Sequence, residues 1–113
     1  MPARLESVRR ATRLTTDQVE RLRRLLIEEH TDRRARAVEL QDPIDLEPDL
    51  AEVLLARNYE AMEEIEAALK RIDDGTYGTC VACGAPIPFE RLEIVPAADR
   101  CVACQVDRGR ALR

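Results

Sequence analysis

The sequence predicts a mainly α-helical protein: a long antiparallel helical hairpin (a coiled coil), then a small four-cysteine zinc-finger module and a short C-terminal helix. Three observations predict it. Apolar residues recur at helical spacing through two long stretches separated by a proline-containing break. The aromatic content is 3%, with no Trp, one Phe and two Tyr, so apolar area comes from Leu, Ile, Val and Ala, which suits helix packing better than a sandwich or barrel. Finally, Cys80-Val81-Ala82-Cys83 is answered by Cys101-Val102-Ala103-Cys104. At 113 residues the chain is one domain by length, small enough that its core needs help.

The N-terminal residues 1–14 read as a flexible arm. Met1 to Arg13 lacks the apolar core of a signal peptide, and no apolar run approaches the roughly 20 residues that span a bilayer. With no export signal, a cytoplasmic, reducing compartment is expected, where cysteines bind metal rather than pair as disulfides.

The hairpin is assigned to residues 15–74, with a tip loop at 41–49. Thr15 can cap a helix, and Gln18 three residues later completes a capping box. Val19, Leu22, Leu25 and Leu26 then fall at helical spacing, followed more thinly by Ala37 and Leu40. The stripe weakens between Glu29 and Arg36, which predicts loose packing there or reliance on a partner. Pro43 disfavours helix at Asp42, and Pro48 suits the first turn of a second helix running to about Asp73. Leu50, Leu54, Ala61, Ile65, Ala68 and Ile72 form its stripe, with near-heptad steps through Asn58. Gly75 offers a left-handed cap. Helices of this length are each roughly 37 Å long and, joined by a short loop, form an antiparallel rod that carries its tip far from its base.

Residues 75–113 form the cysteine module. Gly75-Thr76-Tyr77-Gly78 is a turn, and Pro86, Pro88 and Pro96 exclude a long helix between the cysteine pairs. Ile87, Phe89, Leu92, Ile94 and Val95 are its candidate core, with short strands expected and a closing helix after Cys104. The two CxxC pairs stand seventeen residues apart, a spacing of four-cysteine zinc sites. Two residues between cysteines let one tight turn present both sulfurs to one ion, and Gly84 permits the left-handed turn that closes the knuckle. Four thiolates, Cys80, Cys83, Cys101 and Cys104, favour one tetrahedral Zn²⁺ with no open coordination position, hence a structural site. Disulfides would need an oxidising compartment, and a thioredoxin-like redox pair would need a βαβ context that is absent. Iron is chemically compatible with four thiolates. The metal contributes folding energy, because this segment has too few apolar residues to fold alone.

Elsewhere the chemistry is sparse. His30, the only histidine, has no second ligand in helical register and reads as solvated. No Ser/His/Asp set and no phosphate-binding Gly-rich loop can be assembled, so the chain is not expected to be an enzyme. Asp42 and Asp45, three residues apart on a proline-bent loop, could face one target together, such as a bound Mg²⁺ or basic residues near it. On the residues alone a solvated, capping turn is the simpler reading.

Charge is unevenly spread within a net of -4. Residues 1–40 hold ten Arg against seven acids, residues 41–79 eleven acids against three bases, and residues 80–113 five Arg against four acids. The acidic middle repels phosphate and points to a basic partner surface or a metal rather than nucleic acid. Arg9, Arg10, Arg13, Arg21, Arg23 and Arg24 are interspersed with acids, as on a solvated helix face or a protein-contact surface.

Ala68-Leu69-Lys70-Arg71-Ile72, Gly75-Thr76-Tyr77-Gly78-Thr79-Cys80, Cys83-Gly84, Ile87, Arg91-Leu92, Pro96, Ala98, Cys101 and Cys104 resemble the DksA/TraR C4-type zinc-finger family. The match is dense from Ala68 to Gln105, and the preceding helix–loop–helix agrees in order and approximate length. The resemblance implies a bacterial transcription regulator that binds RNA polymerase without binding promoter DNA itself; a monomer is expected. It implies that the hairpin enters the polymerase secondary channel and that its tip reaches toward the catalytic Mg²⁺ region. There it would alter open-complex stability, often together with guanosine tetraphosphate. The family's tip pattern is Asp-x-x-Asp-x-Ala; Asp42 and Asp45 match both carboxylates, whereas Glu47 stands where Ala is usual and adds bulk and charge. The resemblance tips the reading of the two aspartates toward function. Two rival functions stay open: a zinc-ribbon nucleic-acid binder, marked by steep salt-dependent DNA affinity, and a helical-hairpin adaptor, marked by a stable dimer that buries the hairpin.

Overall fold

The computed structural model describes residues 13–111; residues 1–12, most of the arm expected over 1–14, lie outside the described residues. Helix α1 spans Thr16–Gln41 and α2 spans Pro48–Asp74. The start of α1 is the expected capping box. The Gln18 amide donates to Thr15 Oγ1 at 3.1 Å and the Thr15 amide to Gln18 Oε1 at 2.9 Å, pairing two backbone donors that the helix leaves free. It stops at Asp42, whose φ of -140° and ψ of 66° are not helical, as a residue before proline prefers. Pro48 opens α2, and Gly75 ends it in the left-handed region at φ 79°, with its amide turned back to Arg71 and Ile72 carbonyls.

The two helices run antiparallel: Arg23 meets Asp73, His30 meets Glu66 and Arg33 meets Asn58. Their seam has three zones. At the base, Leu26, Ile65 and Ala68 are buried, flanked by Leu69 and Ile72. Toward the tip, Ala37, Leu40 and Ala51 are buried. Small residues at these positions let the backbones approach closely, while each fully buried leucine or isoleucine is worth about 1.5–3 kcal/mol.

Between the zones lies a polar layer where loose packing was expected. Asn58, 3% exposed, donates through Nδ2 to the Arg33 carbonyl at 2.7 Å, and its Oδ1 accepts from Arg33 Nη1 at 3.3 Å. His30, expected in solvent, has a side chain only 15% exposed, with Nε2 at 3.1 Å from Glu66 Oε1. Polar pairing thus replaces the missing apolar residues. The stripe of α2 also differs from expectation at its start: Ala51 is buried, whereas Leu50 is 47% exposed. The ladder Ala51, Asn58, Ile65, Ile72 is the seven-residue repeat that keeps facing α1.

Beyond Gly75 the chain folds back on the hairpin base. Among the described residues there is no strand, only an isolated bridge between Thr79 and Pro86. The short strands expected here fail because Pro86 and Pro88 remove the donors a ladder needs. Instead, α3 spans Phe89–Ile94 and α4 spans Val102–Ala111. The last helix begins before Cys104, earlier than expected, with the Gln105 amide donating to the Cys101 carbonyl at 3.0 Å. Leu22, Cys80, Ile87 and Leu92 form a second buried cluster that fastens the module to α1. Tyr77 touches both clusters and donates its hydroxyl to the Pro96 carbonyl at 2.7 Å. The whole measures 60 × 35 × 21 Å.

Candidate metal centre and hairpin tip

The first cysteine knuckle is shaped by backbone hydrogen bonds. The Cys80 amide donates to the Ala85 carbonyl at 2.8 Å and the Gly84 amide to the Cys80 carbonyl at 2.9 Å. Gly84 sits at φ 78°, which a residue with a Cβ rarely adopts. The second knuckle is the start of α4. The Val81 amide, 2.8 Å from the Asp99 carbonyl, ties the two together.

These turns bring all four sulfurs within 4.8 Å of one another, with Cys83 and Cys101 Sγ 3.8 Å apart. Tetrahedral Zn²⁺ with its usual sulfur bond lengths gives sulfur–sulfur edges of about 3.8 Å, so the donor set fits the ion. Their acidities tell the same story. Burial pushes the Cys80 thiol up, but the amides of Cys101, Cys83 and Ala82, with the Cys83 side chain, outweigh it and bring Cys80 down to about 6. Hydrogen bonding to Cys101, Cys83 and Cys80, then burial and the Cys101 charge, push Cys104 up to about 12. Cys83 is raised as well: the Ala85 amide pulls it down, yet Cys80, Cys101 and burial prevail. Four sulfurs this close cannot all be anionic without a cation between them; a coordinated metal deprotonates them together. The four cysteines are positioned to hold one metal ion, and the donor chemistry is that of a structural zinc site.

At the opposite end of the hairpin, Asp42, Asp45, Glu47 and Asp49 are all exposed. From Gln41 to Ala56 the chain holds five acids and no Lys or Arg, and among the described residues none of the five joins an ion pair. Asp42 and Asp45 line one shallow depression together with Pro43, Ile44 and Leu46, and with Arg36 and Glu39, which pair with each other at 3.5 Å. Glu47 precedes α2 without a side-chain capping bond. Sequence reasoning passed over Ile44, which stands between the two aspartates and is 95% exposed; the alternation of Asp, Pro, Ile and Asp on a turn was the available signal. It also passed over the groove between hairpin base and module, whose polar lining is Arg71, Arg91 and Arg108 with Glu64, Asp99 and Gln105. These residues are distant in sequence, and only the fold gathers them.

The chain's likeness to known proteins follows this division into module and hairpin. Residues 75–108 match the prokaryotic dksA/traR C4-type zinc finger. General stress protein 16O of Bacillus subtilis is 50% identical over 48 residues, covering 42% of this chain and 29% of that protein. The RNA polymerase-binding transcription factor DksA of Escherichia coli K12 is 34% identical over 74 residues, covering 61% of this chain and 49% of that protein. The chain thus spans less than half the length of these curated relatives. Among solved structures, transcription factor DksA2 from Pseudomonas aeruginosa superposes with a TM-score of 0.72 at 25% identity, covering 91% of this chain and 92% of that one. The transcriptional regulator Dks from Chlamydia trachomatis gives a TM-score of 0.58 at 23% identity over 88% of this chain and 96% of that one, a likeness of fold. Residues 75–108 therefore belong to the dksA/traR C4-type zinc-finger family, and the chain around them has the fold of the DksA proteins.

Proposed function

We propose that this chain is a non-catalytic, cytoplasmic transcription regulator that binds RNA polymerase as a monomer, with no DNA recognition of its own. Its hairpin enters the secondary channel and brings Asp42 and Asp45 toward the catalytic Mg²⁺ region. The observation that carries this reading is the acidic tip, without ion pairs among the described residues, held at the far end of a rod whose base is packed against the four-cysteine module. Supporting it, the relatives named above include an RNA polymerase-binding transcription factor, and the fold agrees with DksA2 along nearly its whole length. No helix among the described residues is long and apolar enough to cross a membrane.

Unpaired carboxylates attract a basic-walled channel over distances of about 8–10 Å. Near the catalytic metal they would compete for, or reorient, the groups that hold it. Glu47 adds a further charge there and sets the size of the effect. If guanosine tetraphosphate acts at the complex, the groove of Arg71, Arg91 and Arg108, shared with Glu64 and Asp99, offers this chain's cations to it, with Arg71 Nη2 buried and without a hydrogen-bond partner among the described residues.

The test is site-specific crosslinking from position 45 to core RNA polymerase, paired with in vitro transcription at equal occupancy. Crosslinks near the catalytic centre, and weakened regulation by Asp45→Asn with binding retained, are the expected results. Unchanged regulation by Asp45→Asn would remove that carboxylate from the mechanism, and crosslinks only to outer surfaces would reject channel entry.

A further inference from the structure

The tip carries a feature that charge does not explain. Ile44 is 95% exposed, more than any other large apolar side chain among the described residues. It is almost fully open to solvent, and it stands between Asp42 and Asp45 on the same depression as Pro43 and Leu46. Single exposed apolar residues are common on protein surfaces. This one differs in its setting: it occupies the apex of the hairpin, flanked by proline-constrained backbone, inside a stretch of sixteen residues with five acids and no base.

We infer that Ile44 is the apolar anchor of the tip, seated on binding in an apolar notch of RNA polymerase whose walls are basic. The inference rests on the polymerase-binding reading and deepens it. Charge complementarity defines the occupant. Asp42 and Asp45 flank Ile44 with negative charge that joins no ion pair among the described residues, and Glu47 and Asp49 follow in the chain. The one cation on the depression, Arg36, is paired with Glu39 at 3.5 Å, so a matching surface places cations around an apolar centre. That is the arrangement of interface hot spots, a desolvated side chain in a pocket ringed by polar contacts. Pro43 fixes the φ of the residue before Ile44, and Pro48 fixes the entry to α2, so little loop freedom is lost on docking. The division of labour is then physical. Ile44 supplies affinity that persists in salt, the ring of acids speeds and orients encounter, and Asp45 supplies the effect on the catalytic region.

The experiment is equilibrium binding of the zinc-loaded chain to purified core RNA polymerase, at low and high salt, for the wild type, Ile44→Ser and Ile44→Leu. Because Ile44 is in water, both variants should keep the wild-type thermal midpoint and one metal per chain. Ile44→Ser is expected to weaken binding by about 10- to 100-fold, by a similar factor at both salt concentrations, the scale of one buried isoleucine. Ile44→Leu should recover most of the loss. A wild type that binds while Ile44→Ser binds equally well overturns the anchor and leaves polymerase binding standing. A wild type that does not bind overturns both.

Discussion

Gly78 shows how tightly the base of the hairpin is joined to the cysteine module. Its φ is 87°, and a Cβ added there would lie 2.8 Å from Leu14 Cδ1, the side chain that leads into α1. Gly78→Ala therefore meets both a left-handed backbone and a steric overlap, and should cost about 1–3 kcal/mol in the thermal or denaturant unfolding of the zinc-loaded protein. Tyr77, next to it, gives a pH-dependent counterpart. Burial pushes its phenol from 10.0 up to about 12, with Arg71 pulling the other way. The folded state holds this proton more tightly than the unfolded chain, so its contribution is complete below pH 10 and is lost as pH rises through about 12. Tyr77→Phe loses the hydrogen bond to Pro96, worth about 0.5–1.5 kcal/mol. Its unfolding free energy, followed against pH, should lack the alkaline decline that the wild type shows.

At the scale of elements, the hairpin depends on its polar middle. Asn58→Ala removes a buried amide bonded at both ends to Arg33 and should destabilise by about 1–3 kcal/mol, read from denaturant midpoints at unchanged slope. An unaltered midpoint would mean that the apolar zones hold the rod alone. Much of this element was legible in the sequence. Thr15 and Gln18, Pro43, Pro48 and Gly75 marked both helices within a residue or two, because capping and proline chemistry are local. The heptad steps already passed through Asn58. Two features were not legible: the partners of the polar layer, since Arg33, His30 and Glu66 meet only once the register of the two helices is set, and α3, since a six-residue helix leaves too short an apolar pattern. The failure of the expected strands follows from Pro86 and Pro88, whose missing donors weigh more than the apolar residues between them. At the candidate metal centre the four cysteines that the fold gathers were readable from spacing, whereas the exposure of Ile44 and the gathering of Arg71, Arg91 and Arg108 required the fold.

At the scale of the whole molecule, the two ends of the rod are interdependent. The cluster of Leu22, Cys80, Ile87 and Leu92 includes a metal-ligand position, so the module that would hold zinc is also the clamp on the start of α1. Removing the ion leaves four crowded sulfurs that must take up protons, and the ordered module should be lost with it. The hairpin's own seam retains part of its helicity but not its fixed angle to the base. Circular dichroism during chelation should therefore show a partial loss of helix, with a lower thermal midpoint for what remains. The charge distribution acts at the same scale: the tip stretch Gln41–Ala56 holds five acids and no base, remote from the four cysteines, so the end proposed to make contact and the end that braces it are separate.

The most direct test of this arrangement is the affinity for core RNA polymerase, measured for the same preparation zinc-loaded, stripped of metal and reloaded. A metal-braced prong predicts tight binding, a loss of at least tenfold on stripping, and recovery on reloading. Equal affinity of the stripped and loaded forms would contradict it.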